Sequence, residues 1–408
     1  MSLEFAPCRH GVDASLAGVR HCRSPKLIGS RRVTARECHS CFCRDHPGPS
    51  AAGPRPRPAR RVVIRTPLYG WGGYPQLAMG LGMGLEARGI GVAYWPMGVD
   101  ESLMPLPRYF RQRIVEDPPD PWVVQLHCPA LPLPEGRSVV SYTMYESTRP
   151  PAEWMLNLNR ARAVLVPSRW CADVFSARGC DRPLFVVPPG VGPQEFFPGD
   201  GPSEGPFTFG FNARLSHGLE RKNVLGVIRA FQAAFRGDPD VRLSVKLFPD
   251  CPRLPVSDPR VVVLRESFST ERLADWFRSL HCLVNGACAG GFELVPLQAM
   301  ACGVPVISTD YSGMGEYIDR SVAYLLDYDL VPAEGMYTGQ GVWGRPREAS
   351  LIARMREVRS DPAAASARGQ AGLERARLMT WDATADRLVA ALERVGMLTP
   401  TPSAPSRL

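Results

Sequence analysis

The strongest constraint on the fold is a regular alternation of short apolar runs with helical segments, which begins at residue 61. The first apolar run, residues 61–67, leads into a glycine-rich loop and then into a helical segment that reaches Gly89. Units of strand, glycine loop and helix build a mostly parallel sheet with helices on both faces. Further apolar runs that predict strands lie at residues 91–97, 122–127, 139–145, 163–167 and 184–188.

A second alternating series indicates a second α/β domain. Prolines and glycines at residues 188–193 and 199–205 are typical of a linker, and the new series starts at Phe207. Its strand candidates lie at residues 207–215, 243–248, 261–265, 282–285, 304–309 and 323–326. The sequence therefore predicts two Rossmann-like domains at residues 61–198 and 199–380, a final helix at 381–397 and a disordered tail at 398–408.

Composition and charge limit the classes of function that fit this chain. The chain has 408 residues, and 45% of them are hydrophobic, which suffices for two buried cores. Residues 1–60 carry +7 of the net charge of +8, so the body is nearly neutral and no nucleic-acid partner is expected. No apolar run reaches the roughly 18 residues of a transmembrane helix, and the start lacks the features of a secretory signal. We therefore expect a cytoplasmic protein.

Residues 1–60 differ from the rest of the chain. They are rich in Arg, Pro, Gly and Ser and lack sustained apolar periodicity, which predicts a disordered basic leader. A start codon placed too far upstream would leave the same pattern. Cys38, Cys41 and Cys43 stand close to His46, so a zinc site is an alternative interpretation of this segment.

Residues 290–309 predict a ligand site. A glycine-rich turn at Gly290 and Gly291 is followed by a helical segment that ends at Gly303 and by an apolar strand. Backbone N–H groups near Gly291 and Phe292 would lack partners within the helix, which suits a phosphate or a sugar hydroxyl. Gln298 lies about one turn beyond the helix start. The alternative is an ordinary helix whose preceding loop binds nothing.

Basic residues indicate where a diphosphate would bind. Arg214 stands at the end of a predicted strand, and Arg221 and Lys222 stand at the start of the next helix. Charge-assisted hydrogen bonds from such groups are worth roughly 1.5–3 kcal/mol each, enough to compensate the charge of a departing nucleotide. A merely solvated basic helix start would oppose the helix dipole and is therefore the less favoured interpretation.

Residues 290–307 resemble the donor-binding element of the retaining glycosyltransferases of family 4. That family carries two glutamates separated by seven residues, which here correspond to Gly290 and Gln298. Glu293 offers a carboxylate from a different direction. The resemblance covers about residues 61–395, and it implies the GT-B arrangement of two Rossmann-like domains that face a cleft, with the final helix crossing back to the first domain.

The resemblance also implies roles for individual residues. Arg214 and Lys222 would hold the diphosphate, and His127, at the end of an apolar strand, would contact the donor sugar. The donor-binding set is Gly290, Gly291, Phe292, Glu293, Leu294 and Gln298. The acceptor side would comprise Gly72, Gly73, Tyr74 and Glu146, where Glu146 alternatively anchors its own loop.

The function implied by the resemblance is hexosyl transfer with retention of configuration. The donor would be a nucleoside diphosphate sugar and the acceptor a hydroxyl of a glycan or another molecule, with no metal and no further cofactor. The two absent glutamates leave one alternative open, a non-catalytic protein of the same fold that binds a nucleotide or a glycan.

Overall fold

The computed structural model describes residues 61–69, 73–101, 105–202, 204–215 and 219–399, together with three short strands before residue 60. These strands, β1 (Val12–Ala14), β2 (Arg20–Cys22) and β3 (Arg31–Arg32), pair as a small antiparallel sheet. The rest of the predicted disordered leader with its possible zinc ligands, Gly72, and the predicted tail beyond residue 399 lie outside the described residues.

The first domain is built on a parallel sheet of six strands in the order β5-β4-β6-β7-β8-β9. Every residue of three interior strands, β6, β7 and β8, is buried, as a sheet covered by helices on both faces requires. The strands are β4 (Arg61–Tyr69), β5 (Gly91–Asp100), β6 (Trp122–Leu126), β7 (Ser138–Tyr142), β8 (Ala163–Val166) and β9 (Leu184–Val186). The helices are α1 (Gly73–Glu86), α2 (Arg108–Arg111), α3 (Ala152–Leu158) and α4 (Arg169–Ala177).

The second domain repeats this plan with a parallel sheet in the order β12-β11-β10-β13-β14-β15. The strands are β10 (Phe207–Ala213), β11 (Val241–Leu247), β12 (Val261–Arg265), β13 (Cys282–Val284), β14 (Val306–Ser308) and β15 (Tyr324–Leu325). The helices are α5 (Leu219–Lys222), α6 (Val224–Ala234), α7 (Thr270–Arg278), α8 (Leu294–Ala301), α9 (Glu348–Ser360) and α10 (Pro362–Arg377). Two six-stranded parallel sheets confirm the predicted pair of α/β domains.

One element of the second domain was not predicted. Strands β16 (Tyr328–Pro332) and β17 (Val342–Pro346) form an antiparallel hairpin whose connection contains a 3-10 turn at Gly335–Tyr337. The hairpin reaches the loop that follows β7 in the first domain. There Ser147 Oγ donates a hydrogen bond of 2.6 Å to the Gln340 carbonyl oxygen.

The last helix, α11 (Trp381–Arg394), packs against α1 of the first domain. Trp381 and Ala385 lie so close to Gly80 and Gly84 that a Cβ atom on either glycine would clash. Leu392 is fully buried in the core of the first domain, and burial of such a side chain contributes about 1.5–3 kcal/mol. Leu398, where the disordered tail was expected to begin, is also buried in this core.

Candidate functional site

The predicted glycine turn lies at the carboxyl end of β13, where ligands of parallel sheets usually bind. The Gly290 N–H donates to Ser312 Oγ at 3.0 Å, and the Gly313 N–H donates to the Gly290 carbonyl oxygen at 2.9 Å. A Cβ atom on Gly313 would lie 2.0 Å from the Gly291 oxygen, so the two glycine turns pack backbone against backbone. Ser168 Oγ of the first domain donates to the same Gly291 oxygen at 2.8 Å, which joins the turn to the other domain.

A buried cluster of three charged side chains lies beside this turn. Lys222 Nζ lies 2.5 and 2.6 Å from the two carboxylate oxygens of Glu293, and Arg221 Nη1 lies 3.3 Å from one of them. Each of the three side chains is at least 86% buried. These three groups alone carry two positive charges and one negative charge. Among the described residues, the buried Nε of Arg221 also has no acceptor.

Burial and charge act in opposite directions on the Glu293–Lys222 pair. Burial would raise the pKa of the Glu293 carboxyl, but Lys222 and Arg221 together outweigh it and hold that pKa below its ordinary value. Burial also lowers the pKa of the Lys222 ammonium; Glu293 counteracts this effect, whereas the charge of Arg221 adds to it. The arrangement therefore favours the ionised carboxylate of Glu293, whereas its net effect lowers the pKa of the Lys222 ammonium.

Arg221 contacts the Lys222–Glu293 pair, whereas Arg214, which was expected to hold the diphosphate with Lys222, has other partners. The guanidinium of Arg214 instead pairs with Asp250 at 2.8 Å and lies over the ring of Phe248. Arg221 was visible in the sequence as the neighbour of Lys222. Because α5 has only four residues, its periodicity could not show that Arg221 turns inward.

Gln298 connects the predicted donor site to the first domain. Its side chain is buried, and its Nε2 donates a hydrogen bond of 3.2 Å to Gln76 Oε1 on α1. Gln76 was not singled out in the sequence, and only the approach of the two domains shows its relation to Gln298. A side-chain amide can both donate and accept, so the pair can rearrange around a hydroxyl group.

Phe292 and Leu294 have structural roles in the same loop. Phe292 is buried with its ring centroid 5.0 Å from that of Tyr317, and Leu294 packs against the same hydrophobic core. These side chains fix the start of α8, and Tyr317 reinforces it by donating its hydroxyl to the Glu293 carbonyl oxygen.

His127 and Tyr74 lie together in the first domain. His127 follows β6, and its ring stacks on that of Tyr74 at a centroid distance of 5.6 Å. Burial raises the pKa of the Tyr74 hydroxyl well above its ordinary value, so that hydroxyl stays protonated. Gly73 begins α1 and is exposed, and in the described part of the chain nothing beyond its own helix and neighbours lies within 4 Å of the position that its Cβ would take.

Glu146 is bound by the unpredicted hairpin. Tyr337 donates its hydroxyl to Glu146 Oε2 at 2.8 Å, and Trp343 Nε1 donates to the Glu146 carbonyl oxygen at 2.7 Å. Both donors come from the second domain, and Tyr337 and Trp343 are buried. This contact anchors the loop of Glu146, one of the two roles considered for it. It also places a second carboxylate close to Arg221.

Part of the chain is similar in sequence to known proteins. Residues 206–334 match the sequence model of the family described as Glycosyl transferases group 1. D-inositol 3-phosphate glycosyltransferase of Pseudarthrobacter chlorophenolicus is 28% identical over 267 residues, which are 59% of this chain and 58% of that protein. The enzyme of the same name from Streptomyces avermitilis is 32% identical over 145 residues, 35% of this chain and 27% of that protein. The chain thus spans less than two thirds of these relatives.

Solved structures identify the fold. Sucrose-phosphate synthase from Thermosynechococcus elongatus superposes with a TM-score of 0.61 at 16% identity, over 82% of this chain and 99% of that one. Anabaena HepE in complex with UDP and glucose gives a TM-score of 0.62 at 12% identity, over 82% of this chain and 100% of that one. The protein has the GT-B fold, and the stretch that matches the group 1 model, residues 206–334, lies in its second domain.

Proposed function

We propose that the protein is a retaining glycosyltransferase, which moves a hexose from a nucleoside diphosphate sugar to the hydroxyl of an acceptor. The observation that carries this proposal is the buried pair of cations, Lys222 and Arg221, beside the glycine turn at Gly290 and Gly291. The matched family, the names of the relatives and the UDP and glucose bound by Anabaena HepE support it.

The cations stabilise the leaving group. As the bond between sugar and phosphate breaks, negative charge develops on the diphosphate. Charge-assisted hydrogen bonds from Lys222 and Arg221 stabilise this charge. Backbone N–H groups of the turn at Gly291 add to this at the start of α8. Because the site is buried, each such bond contributes more than it would in water.

Retention follows if the diphosphate leaves on the face that the acceptor approaches. The leaving phosphate then accepts the proton of the attacking hydroxyl, and no protein nucleophile is needed. Gln298, with Gln76 beside it, binds the ribose of the nucleotide, and His127 contacts the transferred sugar. Gly73 and Tyr74 line the acceptor side. The proposed reaction uses no cofactor besides the nucleotide sugar.

We place this reaction in the cytoplasm. The six cysteines from Cys171 to Cys302 are buried and form no disulfide, as is usual in a reducing compartment. Separately, none of the helices in the described part of the chain is long and apolar enough to cross a bilayer.

A panel of UDP- and GDP-sugars, read by mass spectrometry for release of the nucleotide and for transfer to sugar acceptors, tests the proposal. At least one donor is expected to be consumed by the wild type but not by Lys222→Met. Arg347→Ala, which removes an exposed ion pair with Asp329, is the control and should match the wild type. Nucleotide binding without any turnover would instead support the non-catalytic alternative, and no binding at all would refute both.

A further inference from the structure

Gly290 and Glu293 compete for one volume. A Cβ atom on Gly290 would lie 2.3 Å from Glu293 Cγ and 2.5 Å from its Oε1, distances at which one of the two must move. The backbone of Gly290 does not require glycine, because its φ angle is not in the positive region. The Glu293 side chain is thus the obstacle to a larger residue at position 290.

The backbone of Glu293 adopts an energetically unfavourable conformation. Its φ angle is +69°, in the left-handed region that side chains other than glycine rarely adopt. Such conformations persist where the surroundings determine them, often at functional sites. Here the surroundings are Lys222 and Arg221, which both contact the carboxylate, and Tyr317, which binds the carbonyl oxygen of the same residue.

We propose that Glu293 is the positioning residue of the diphosphate site, which holds the Lys222 ammonium and the Arg221 guanidinium side by side, and that residue 290 is glycine to admit its carboxylate. Positions 290 and 293 then form an exclusive pair: a side chain at position 290 and the Glu293 side chain cannot occupy the same volume, so only one of the two positions supplies the carboxylate of the cluster. The inference rests on the proposed function, since it assigns the two cations to the donor diphosphate.

The carboxylate is required because two adjacent buried cations repel each other. Lys222 interacts electrostatically with Glu293, Arg221 and Glu146. Arg221 additionally faces Tyr337, and Glu293 faces Tyr317. Without Glu293, the carboxylate of Glu146 alone would balance both cations, and the ammonium of Lys222 would lose its proton at a lower pH.

A thermodynamic cycle tests the exclusive pair without any need for activity. The variants are Gly290→Ala, Glu293→Gly and the double variant, each measured by thermal unfolding. In the wild-type background the added methyl group displaces Glu293, so we expect the melting temperature to fall by several degrees. In the Glu293→Gly background the volume is free, and the same methyl group should have little effect. An equal effect in both backgrounds would overturn the inference, even if no donor were ever turned over.

The pH dependence of kcat/KM tests the positioning role. Loss of Lys222 protonation appears as a fall in kcat/KM at alkaline pH, and in Glu293→Gln this fall should begin at lower pH than in the wild type. The double variant Gly290→Glu/Glu293→Gly restores a carboxylate from the other position. The pH at which its kcat/KM falls should return towards the wild-type value. Asp329→Asn, on an exposed ion pair, is the control and should change nothing. If kcat/KM falls at the same alkaline pH in the wild type and in Glu293→Gln, the positioning role is refuted and the proposed transferase function stands.

Discussion

Replacement of Lys222 by methionine tests the site most directly, because it removes the ammonium group and retains a side chain of similar volume. The ammonium lies 2.5 Å and 2.6 Å from the oxygens of Glu293, and the Lys222 and Glu293 side chains are 14% and 9% exposed. Its loss leaves a buried carboxylate whose remaining ion-pair partner is Arg221 at 3.3 Å.

The stability cost follows from that uncompensated charge. Removing one partner of a buried ion pair costs about 3–5 kcal/mol, and we expect about 3 kcal/mol because Arg221 remains. A loss of this size lowers the melting temperature by about 6–12 °C. The pKa of Glu293 is held low in the folded protein, so its contribution is present above the ordinary carboxyl pKa and is lost as the pH falls through the lowered value. The destabilisation by Lys222→Met should therefore be largest near neutral pH and shrink in acid.

The effect on turnover has a different origin and should be separable. Removal of one donor that stabilises a developing charge costs about 10²–10³-fold in kcat. The double variant Lys222→Met/Glu293→Gln removes the buried carboxylate charge as well, so it should regain much of the stability but none of the turnover. Melting curves and steady-state kinetics with the best donor measure both effects. Wild-type turnover in Lys222→Met, or a turnover loss that disappears when stability is regained, would refute the reasoning.

Three further predictions concern other parts of the molecule. Gln298→Glu should tighten the binding of a nucleoside diphosphate by about tenfold, because a carboxylate accepts a charge-assisted hydrogen bond from the ribose. Calorimetry with UDP and GDP measures this gain, and no gain would show that the ribose binds elsewhere. Tyr337→Phe removes the hydrogen bond to Glu146 and should cost about 1 kcal/mol of stability, read as a shift in the urea midpoint. A protein that begins at Arg60 should melt at the wild-type temperature, and a large decrease would show that residues 1–59 join a core.

Local patterns were enough to predict the fold. Apolar strands bury their side chains on both faces of a parallel sheet, so each appears as a short continuous apolar run, and the glycines between strand and helix mark the turns. The same reasoning located the turn at Gly290 and Gly291. It was wrong to expect Arg221 and Lys222 at a helix start, since they end the four-residue helix α5. It missed the hairpin Tyr328–Pro346, because β16 is largely exposed and β17 contains a glycine, an arginine and a proline, so neither strand has the continuous apolar pattern of the sheet strands.

The partners of the site side chains depended on the tertiary structure. Sequence analysis assigned the diphosphate to Arg214 and Lys222, whereas the folded chain groups Arg221 with Lys222 and pairs Arg214 with Asp250. Lys222 and Glu293 are 71 positions apart, and Gln298 and Gln76 are 222 apart. Helix and strand periodicity is set by neighbours within a few residues, so the sequence carries it locally. Which charged groups meet in a buried site is decided only when strands, loops and domains pack, since burial there forces each charge to find a partner.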